Sequence, residues 1–234
     1  MSSDKKEHLP SCAAFAYENP NKICVSENGT PAKGCPTLTK KKVLAEANKE
    51  YEDPGIKEFA HQASAQEASA YANRGQSDYV LQPAKTRIQE ICEFAHRMGY
   101  KRLGMAFCVG LAKEAMAVEE IFKIHGFEVA SVCCKAGRTP KEVLDLKVDE
   151  TIRYNTEESL CNPIFQAKAL NDSKTEFNVL LGLCVGHDSL FFKYAEAPVT
   201  VLAAKDRVTG HNPLAPIYQT NSYYQKLKHP EVLK

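Results

Sequence analysis

Two stretches of the chain repeat one theme: LGMAFCVG at residues 103–110 and VLLGLCVG at residues 179–186. Each is an apolar run that closes in Cys-Val-Gly. An unbroken apolar run of this length is typical of a buried parallel strand, and the residue after such a strand lies on the edge where open α/β sheets bind ligands. The repeat therefore predicts that Cys108 and Cys184 lie on one edge of a sheet.

Two further apolar runs extend this pattern. Residues 127–132 end at Cys133 and Cys134, and residues 199–204 form the fourth run. Segments with helical spacing separate the four runs, and strands joined by helices predict an α/β domain with a mostly parallel sheet flanked by helices. Because successive side chains of a strand alternate faces, only one of the two adjacent cysteines faces inward; we favour Cys133 as the metal ligand, and Cys134 is the alternative.

The chain divides by composition into three parts. Residues 1–45 hold Cys12, Cys24 and Cys35 among prolines and glycines, with little apolar periodicity, whereas residues 46–216 carry the α/β pattern after a helical lead-in and residues 217–234 are a polar tail. A segment so poor in apolar residues needs a cross-link, such as a bound metal, to adopt an ordered structure. We expect its three cysteines, with His8 or an edge cysteine as fourth ligand, to bind a structural metal; the alternative is a loose tail.

Composition excludes several classes of function. The 234 residues include 30 Lys and Arg against 29 Asp and Glu, with no basic tract interleaved with aromatic residues, so we expect no nucleic-acid binding. No apolar leader opens the chain, and no stretch approaches the ~20 continuous apolar residues that span a bilayer. We therefore expect a cytoplasmic protein that makes no use of a membrane.

Nine cysteines in an unexported chain favour reduced thiols that serve metal or redox chemistry, because a reducing cytosol disfavours structural disulfides. Cations and helix N-termini favour the thiolate, and three or four thiolates suit zinc or an iron-sulfur cluster. We expect an iron-sulfur cluster, or zinc, held by Cys108, Cys133, Cys161 and Cys184. Cys161 joins this set from the start of a helix opened by Asn-Pro.

Three polar residues follow the predicted strands at the same edge. His187 comes directly after the second Cys-Val-Gly, and Lys205 and Arg207 follow the fourth strand. As a hypothesis, three cysteines bind the cluster while one metal position stays open as a Lewis acid for a small substrate that His187, Lys205 or Arg207 holds. The plain alternatives are a hydrogen bond at a helix start for His187 and a solvated turn for the two cations.

Other functions remain open at this point. The first is a metal-free enzyme of thiol redox or sulfur transfer, in which Cys108 or Cys184 attacks and another cysteine resolves. The second is a metal carrier or sensor without catalysis, and the third is that these cysteines merely fill the core. We expect the partner to be a small molecule or a redox protein, and whether the chain is an enzyme or a homo-oligomer stays open.

Five strings in order resemble the DUF1847 family, and together they cover about residues 88–213. They are AFCVGL (106–111), SVCCK (131–135), CNP (161–163), GLCVGHD (182–188), and the run from APVT (197–200) through KDR (205–207) to GHNP (210–213). Members also begin with clustered cysteines that close in Cys-Pro-Thr, as at residues 35–37, although Phe15 stands where a close partner of Cys12 is usual. The resemblance implies a cysteine-rich, metal-binding protein of anaerobic archaea and bacteria, with no established reaction.

Overall fold

A computed structural model describes residues 9–15, 21–76, 78, 80–153 and 156–232. The chain forms two compact units, and the boundary between them along the sequence falls between Ala65 and Gln66. In chain order the helices and strands are α1 (Cys12–Phe15), α2 (Pro36–Thr39), α3 (Lys41–Glu50), α4 (Pro54–Ser69), α5 (Arg87–Arg97), β1 (Arg102–Phe107), α6 (Ala112–Ile124), β2 (Glu128–Cys133), α7 (Pro163–Asp172), β3 (Phe177–Leu181), α8 (His187–Tyr194), β4 (Val199–Ala203) and α9 (Ala215–Tyr218).

Short 3₁₀ turns complete the secondary structure. They cover Val109–Leu111, Lys141–Leu144, Val148–Glu150, Gln225–Lys228 and Pro230–Val232. None of the helices within the described ranges is long and apolar enough to cross a membrane.

The second unit contains one sheet of four strands in the order β2-β1-β3-β4, and every neighbouring pair is parallel. Helices α6 and α7 pack against β1 and β2, and α7 also packs against α8. The expected α/β class with a parallel sheet is therefore confirmed. All five residues of β3 are buried, which explains why this strand reads as an unbroken apolar run.

The strand order places a topological switch point between β1 and β3. From β1 the chain crosses to β2 on one side, and from β3 it crosses to β4 on the other side. Open α/β sheets bind their ligands outside the carboxyl ends of the strands at such a point, where the two connections diverge and leave a crevice. Cys108 is the first residue after β1 and therefore borders this crevice.

The start of α7 follows from its sequence. Asn162 is the N-cap, its side-chain Oδ1 accepts a hydrogen bond from the Phe165 N–H at 2.9 Å, and Pro163 opens the helix. A capping side chain satisfies an amide that has no partner within the helix, and proline has no amide to satisfy. These two residues hold the preceding Cys161 at the helix entrance.

Gly104 in the centre of β1 is required by a close side-chain approach. A Cβ built on this residue would lie 1.9 Å from Oδ1 of Asn178 on β3 and 3.0 Å from Cδ1 of Leu170 on α7. Asn178 is fully buried, and its Oδ1 accepts a hydrogen bond from the Thr175 hydroxyl at 2.9 Å. The strand therefore has no room for a side chain at this position.

We expect Gly104→Ala to lower the free energy of unfolding by about 1–3 kcal/mol, because the added methyl group overpacks a core that cannot yield without moving Asn178. Urea denaturation followed by circular dichroism measures the change. Gly110→Ala is the matched control, since a Cβ there meets its nearest atoms at 3.5 and 3.9 Å, which is ordinary contact. Equal stabilities for the two variants would contradict this account of Gly104.

A cluster of polar side chains around Glu93 connects α5 to Lys85 and Gln66. Glu93 accepts hydrogen bonds from Lys85 at 2.5 Å, from Gln66 at 2.8 Å and from Gln89 at 2.9 Å. Although burial raises the pKa of Glu93, these hydrogen bonds outweigh it and lower the pKa to about 2. Since a free glutamate titrates near 4.3, about two pH units higher, the ionised carboxylate stabilises the folded state.

We expect Glu93→Gln to reduce the free energy of unfolding at pH 7 by about 1 kcal/mol, because the remaining amide cannot accept from all three donors. The contribution of Glu93 is present above the pKa of the unfolded carboxyl and is lost as pH falls through the folded pKa. The difference between wild type and variant should therefore shrink from pH 5 towards pH 2, as measured by urea denaturation across that range. A difference that does not change with pH would refute this assignment.

Candidate functional site

Three cysteines from separate segments meet at the carboxyl edge of the sheet. Cys108 follows β1, Cys134 follows β2, and Cys161 precedes α7. Backbone hydrogen bonds join the segments: the Cys134 N–H donates to the Phe107 carbonyl at 2.8 Å, and the Asn162 N–H donates to the Cys134 carbonyl at 2.8 Å. We call Cys108, Cys134 and Cys161 the thiol cluster.

Cys134 lies at the centre of the thiol cluster. Its side chain forms hydrogen bonds with the Cys108 and Cys161 side chains. Cys134 is 2% exposed and Cys108 is 8% exposed, while Cys161 is half-buried. Buried polar groups that contact one another in this way are partly removed from water, so their charge state is set by their neighbours.

Backbone amides at the start of the β1–α6 connection point at the same sulfurs. The Val109 N–H donates to Cys134 Sγ at 3.3 Å, and the Gly110 N–H donates to the Cys108 side chain. A Cβ built on Gly110 would lie 3.5 Å from Lys205 Nζ and 3.9 Å from Cys108 Sγ. The Lys205 ammonium group and the Cys108 sulfur therefore flank the same glycine.

These contacts separate the acidities of the three thiols. The hydrogen bond from Cys134 lowers the pKa of Cys108 to about 4 against the effect of burial, with help from the Gly110 amide and Lys205. The hydrogen bond from Cys134 also lowers the pKa of Cys161, to about 6, and the charges of Lys135 and His187 act in the same direction. The pKa of Cys134 is raised, because it donates to two thiolates and is buried. Of the three thiols, Cys134 therefore keeps its proton, and its S–H group donates to the other two sulfurs.

Lys135 fastens the segment that leads to Cys161. Its Nζ donates to the Ser159 carbonyl at 2.5 Å and lies 3.7 Å from Glu158 Oε1. The Glu158 carboxylate also pairs with Lys141, at 3.0 Å. The loop before α7 is therefore anchored by a residue next to Cys134, which brings these two parts of the thiol cluster together.

In the structure, the cysteine that forms hydrogen bonds with Cys108 and Cys161 is Cys134, and not the favoured Cys133. Cys133 is the last residue of β2, where its side chain is half-buried and packs against the core. Cys134 is the first residue of the turn that follows. Alternation of faces applies only within the strand, so the position of the strand end decided which of the two sulfurs reaches Cys108.

Cys184 has a different hydrogen-bond partner from the residues of the thiol cluster. The strand β3 ends at Leu181, and Gly182 turns the chain with a positive φ of 67°. The Cys184 sulfur accepts a hydrogen bond from Arg207 Nη2 at 3.0 Å. Within the described ranges, no hydrogen bond joins the thiol of Cys184 to those of the thiol cluster.

Lys205 and Arg207 lie on either side of Asp206 in the segment that follows β4. The Asp206 carboxylate accepts hydrogen bonds from the Val208 and Thr209 amides at 2.9 and 3.0 Å, so it is used within the turn. Neither cation forms an ion pair with a carboxylate in the part of the chain that the structure describes. Instead, Lys205 faces Cys108 and Arg207 faces Cys184.

The amino-terminal cysteines belong to the first unit. Cys12 and Cys24 are exposed and Cys35 is half-buried. The side chain of Thr37 donates to the sulfur of Cys35 and lowers its pKa. The described residues show no hydrogen bond between these three thiols, and His8, the expected fourth ligand, lies outside those residues.

Among the described residues, no group of three or more His, Cys, Asp and Glu side chains is placed so that it could hold a metal ion as the side chains stand. In the thiol cluster, Cys134 forms a hydrogen bond with each of the two other thiols.

Sequence reasoning missed two neighbours of this site, Lys135 and Gln166; the Gln166 side chain donates hydrogen bonds to the Phe107 and Val132 carbonyls. The position of Lys135, directly after two cysteines and before a second cysteine segment, was the available signal. Gln166 offered no signal beyond its place in the first turns of a helix.

Comparisons with known proteins agree with the resemblance seen in the sequence. A family model described as "Protein of unknown function (DUF1847)" matches residues 35–202, a range that includes the thiol cluster and ends before Lys205. The chain is 45% identical over 161 residues to "Uncharacterized protein MJ0455" of Methanocaldococcus jannaschii. The aligned region covers 69% of this chain and 78% of that protein. No solved structure matches significantly. The chain therefore belongs to the DUF1847 family.

Proposed function

We propose that this protein binds a thiophilic metal, as an iron-sulfur cluster or as zinc, through Cys108, Cys134 and Cys161. One observation carries the proposal: three thiols from three separate segments are in hydrogen-bond contact beside the topological switch point of the sheet. Ligand sites of open α/β sheets lie at this place. Soft sulfur ligands select zinc, copper(I) and iron-sulfur clusters over magnesium or calcium.

The surroundings of the thiols suit a bound metal. Two thiols already favour the ionised form that binds metal, and binding would displace the proton that Cys134 holds. The Val109 and Gly110 amides and the Lys205 ammonium group would offset the negative charge of the sulfurs. Hydrogen bonds to the sulfurs and nearby charge are among the features that set the potential of iron-sulfur centres.

Three protein ligands would leave one metal position open for a substrate, as in catalytic metal sites. His187 lies close enough to Cys161 to lower its pKa, and Lys205 and Arg207 lie on the same edge without carboxylate partners among the described residues. We infer that a small anionic molecule binds to these groups, because an arginine offers a bidentate fork to a carboxylate or phosphate.

We expect Cys134→Ser to lose at least 90% of the metal that wild type binds after anaerobic reconstitution, because the serine hydroxyl is a hard, weak ligand in place of the central sulfur. Iron with sulfide and zinc are offered in separate reconstitutions. Elemental analysis, sulfide analysis and the visible absorption spectrum then distinguish a cluster from zinc.

Cys133→Ser is the matched control for this experiment, since it changes the neighbouring cysteine, which packs against the core. We expect it to keep the wild-type metal content. The proposal fails if reconstituted wild type holds neither iron nor zinc, or if the two serine variants lose metal equally.

A second candidate function is thiol-disulfide exchange without metal, and the contact between Lys205 and Cys108 favours it. The Cys108 thiolate would attack a substrate disulfide, form a mixed disulfide and expel one thiolate. Cys134 would then lose its proton, attack the Cys108 sulfur and release the second thiol. Two electrons pass from the protein to the substrate disulfide, and an external dithiol would reduce the Cys108–Cys134 disulfide again.

For this second function, the rate at which Cys108 of metal-free protein reacts with oxidised glutathione should change little between pH 5.5 and 8, because its thiolate persists above about pH 4. Lys205→Met should shift the pH profile upward, so that the rate falls more at pH 6 than at pH 8. Mass spectrometry of the modified cysteine at timed intervals measures the rate. Lys168→Met, a change of an exposed lysine on α7, should leave the profile unaltered. A profile that rises through pH 8.5 in wild type, as for a free thiol, would exclude this function.

A further inference from the structure

A buried amide links the segments that carry the thiol cluster. Gln166 lies in the second turn of α7 and is fully buried. Its Nε2 donates hydrogen bonds to the Val132 carbonyl at 2.7 Å and to the Phe107 carbonyl at 3.2 Å. These carbonyls lie near the carboxyl ends of β2 and β1, and Phe107 directly precedes Cys108.

The three bonded segments are those of the thiol cluster. Gln166 lies five residues after Cys161 on the helix that Cys161 leads into, Phe107 precedes Cys108, and Val132 lies two residues before Cys134. The Phe107 carbonyl also accepts the hydrogen bond from the Cys134 N–H. One side chain therefore bonds to both strand ends from the helix that holds the third cysteine.

We infer that Gln166 is a positioning residue that sets the spacing of the three sulfurs. The inference rests on the proposed function of the thiol cluster, although the geometry concerns the thiols with or without metal. Residues that hold metal ligands in place from outside the coordination sphere affect affinity strongly, and their loss typically weakens metal binding about 10–100-fold.

The chemistry of the position requires an amide. Two carbonyl acceptors converge on one nitrogen, and of the common buried side chains only an amide NH₂ group supplies two donors without a charge. The length of glutamine is also needed, because the donor must reach from α7 to two strands. The Gln166 Oε1 is buried with no hydrogen-bond partner in the described chain, so packing around this residue tolerates an uncompensated polar atom. Such an atom costs stability, which a residue serving only the core would avoid by being apolar.

The test compares Gln166→Met with Asn178→Ala. Asn178 is the matched control because it is also a fully buried amide with one atom that has no hydrogen-bond partner among the described residues. It lies in β3, however, and accepts a hydrogen bond from Thr175 at the amino end of that strand. Both variants should lose stability in urea denaturation. Gln166→Asn is the milder second variant, since it keeps the amide but shortens its reach.

The first readout is the dissociation constant of the reconstituted metal by competition with a chelator. We expect about 10–100-fold weaker binding for Gln166→Met, a loss in the same direction for Gln166→Asn, and the wild-type value for Asn178→Ala. Metal affinity that falls only in proportion to stability, equally in all three variants, would overturn the inference.

The second readout needs no metal. Oxidised glutathione is added to metal-free protein, and peptide mass spectrometry follows the formation of the Cys108–Cys134 disulfide. We expect Gln166→Met to slow this step about tenfold, because poor alignment of reacting groups reduces their effective concentration, while Asn178→Ala leaves it unchanged. If wild type binds no metal, the proposed function fails and this readout still tests Gln166. An unchanged rate in Gln166→Met would refute its positioning role.

Discussion

The parallel alignment of β1 with its neighbours β2 and β3 is the constraint on which the candidate site depends. Parallel pairing sends every strand out of the sheet at the same edge, and the unbroken register of β1 with both neighbours sets Phe107 beside Cys133 on β2 and Leu181 on β3. The central strand also requires Gly104, because Asn178 fills the space beside it. Once these strands are in place, the residues after β1 and β2 meet, and the entrance of α7 closes over them.

Electrostatics at this edge follow from the same architecture. The amides that begin the β1–α6 connection point at sulfur, and a lysine at the end of β4 faces Cys108. Both favour negative charge where the protein places its thiols, so the site stabilises thiolates without a carboxylate network. Metal binding and thiol exchange both begin from a thiolate, so the two proposed functions use the same residues. They differ in whether the thiolate binds a metal or attacks a disulfide.

Much of the fold was predictable, and the reason is periodicity. Unbroken apolar runs and helical segments in alternation predicted the parallel α/β sheet, and Asn162 and Pro163 predicted the start of α7. The thiol at the end of β1 was found for the same reason. The sequence could not decide between Cys133 and Cys134, because the choice depends on where the strand ends, and strand ends are set by packing and hydrogen bonding to neighbours. Cys184 was grouped with Cys108 by analogy of sequence, but the turn at Gly182 gave its sulfur Arg207 as a partner.

By itself, the sequence determined that the chain forms a parallel sheet flanked by helices, that cysteines follow its strands, and that it resembles one family. These properties are local, since they depend on the spacing of apolar residues and on short motifs. Only the tertiary structure decided that Cys108, Cys134 and Cys161 contact one another, that Lys205 faces the first of them, and that Gln166 joins their segments. Such contacts join residues tens of positions apart, and their geometry depends on strand order, turn conformation and side-chain packing, which no local pattern encodes.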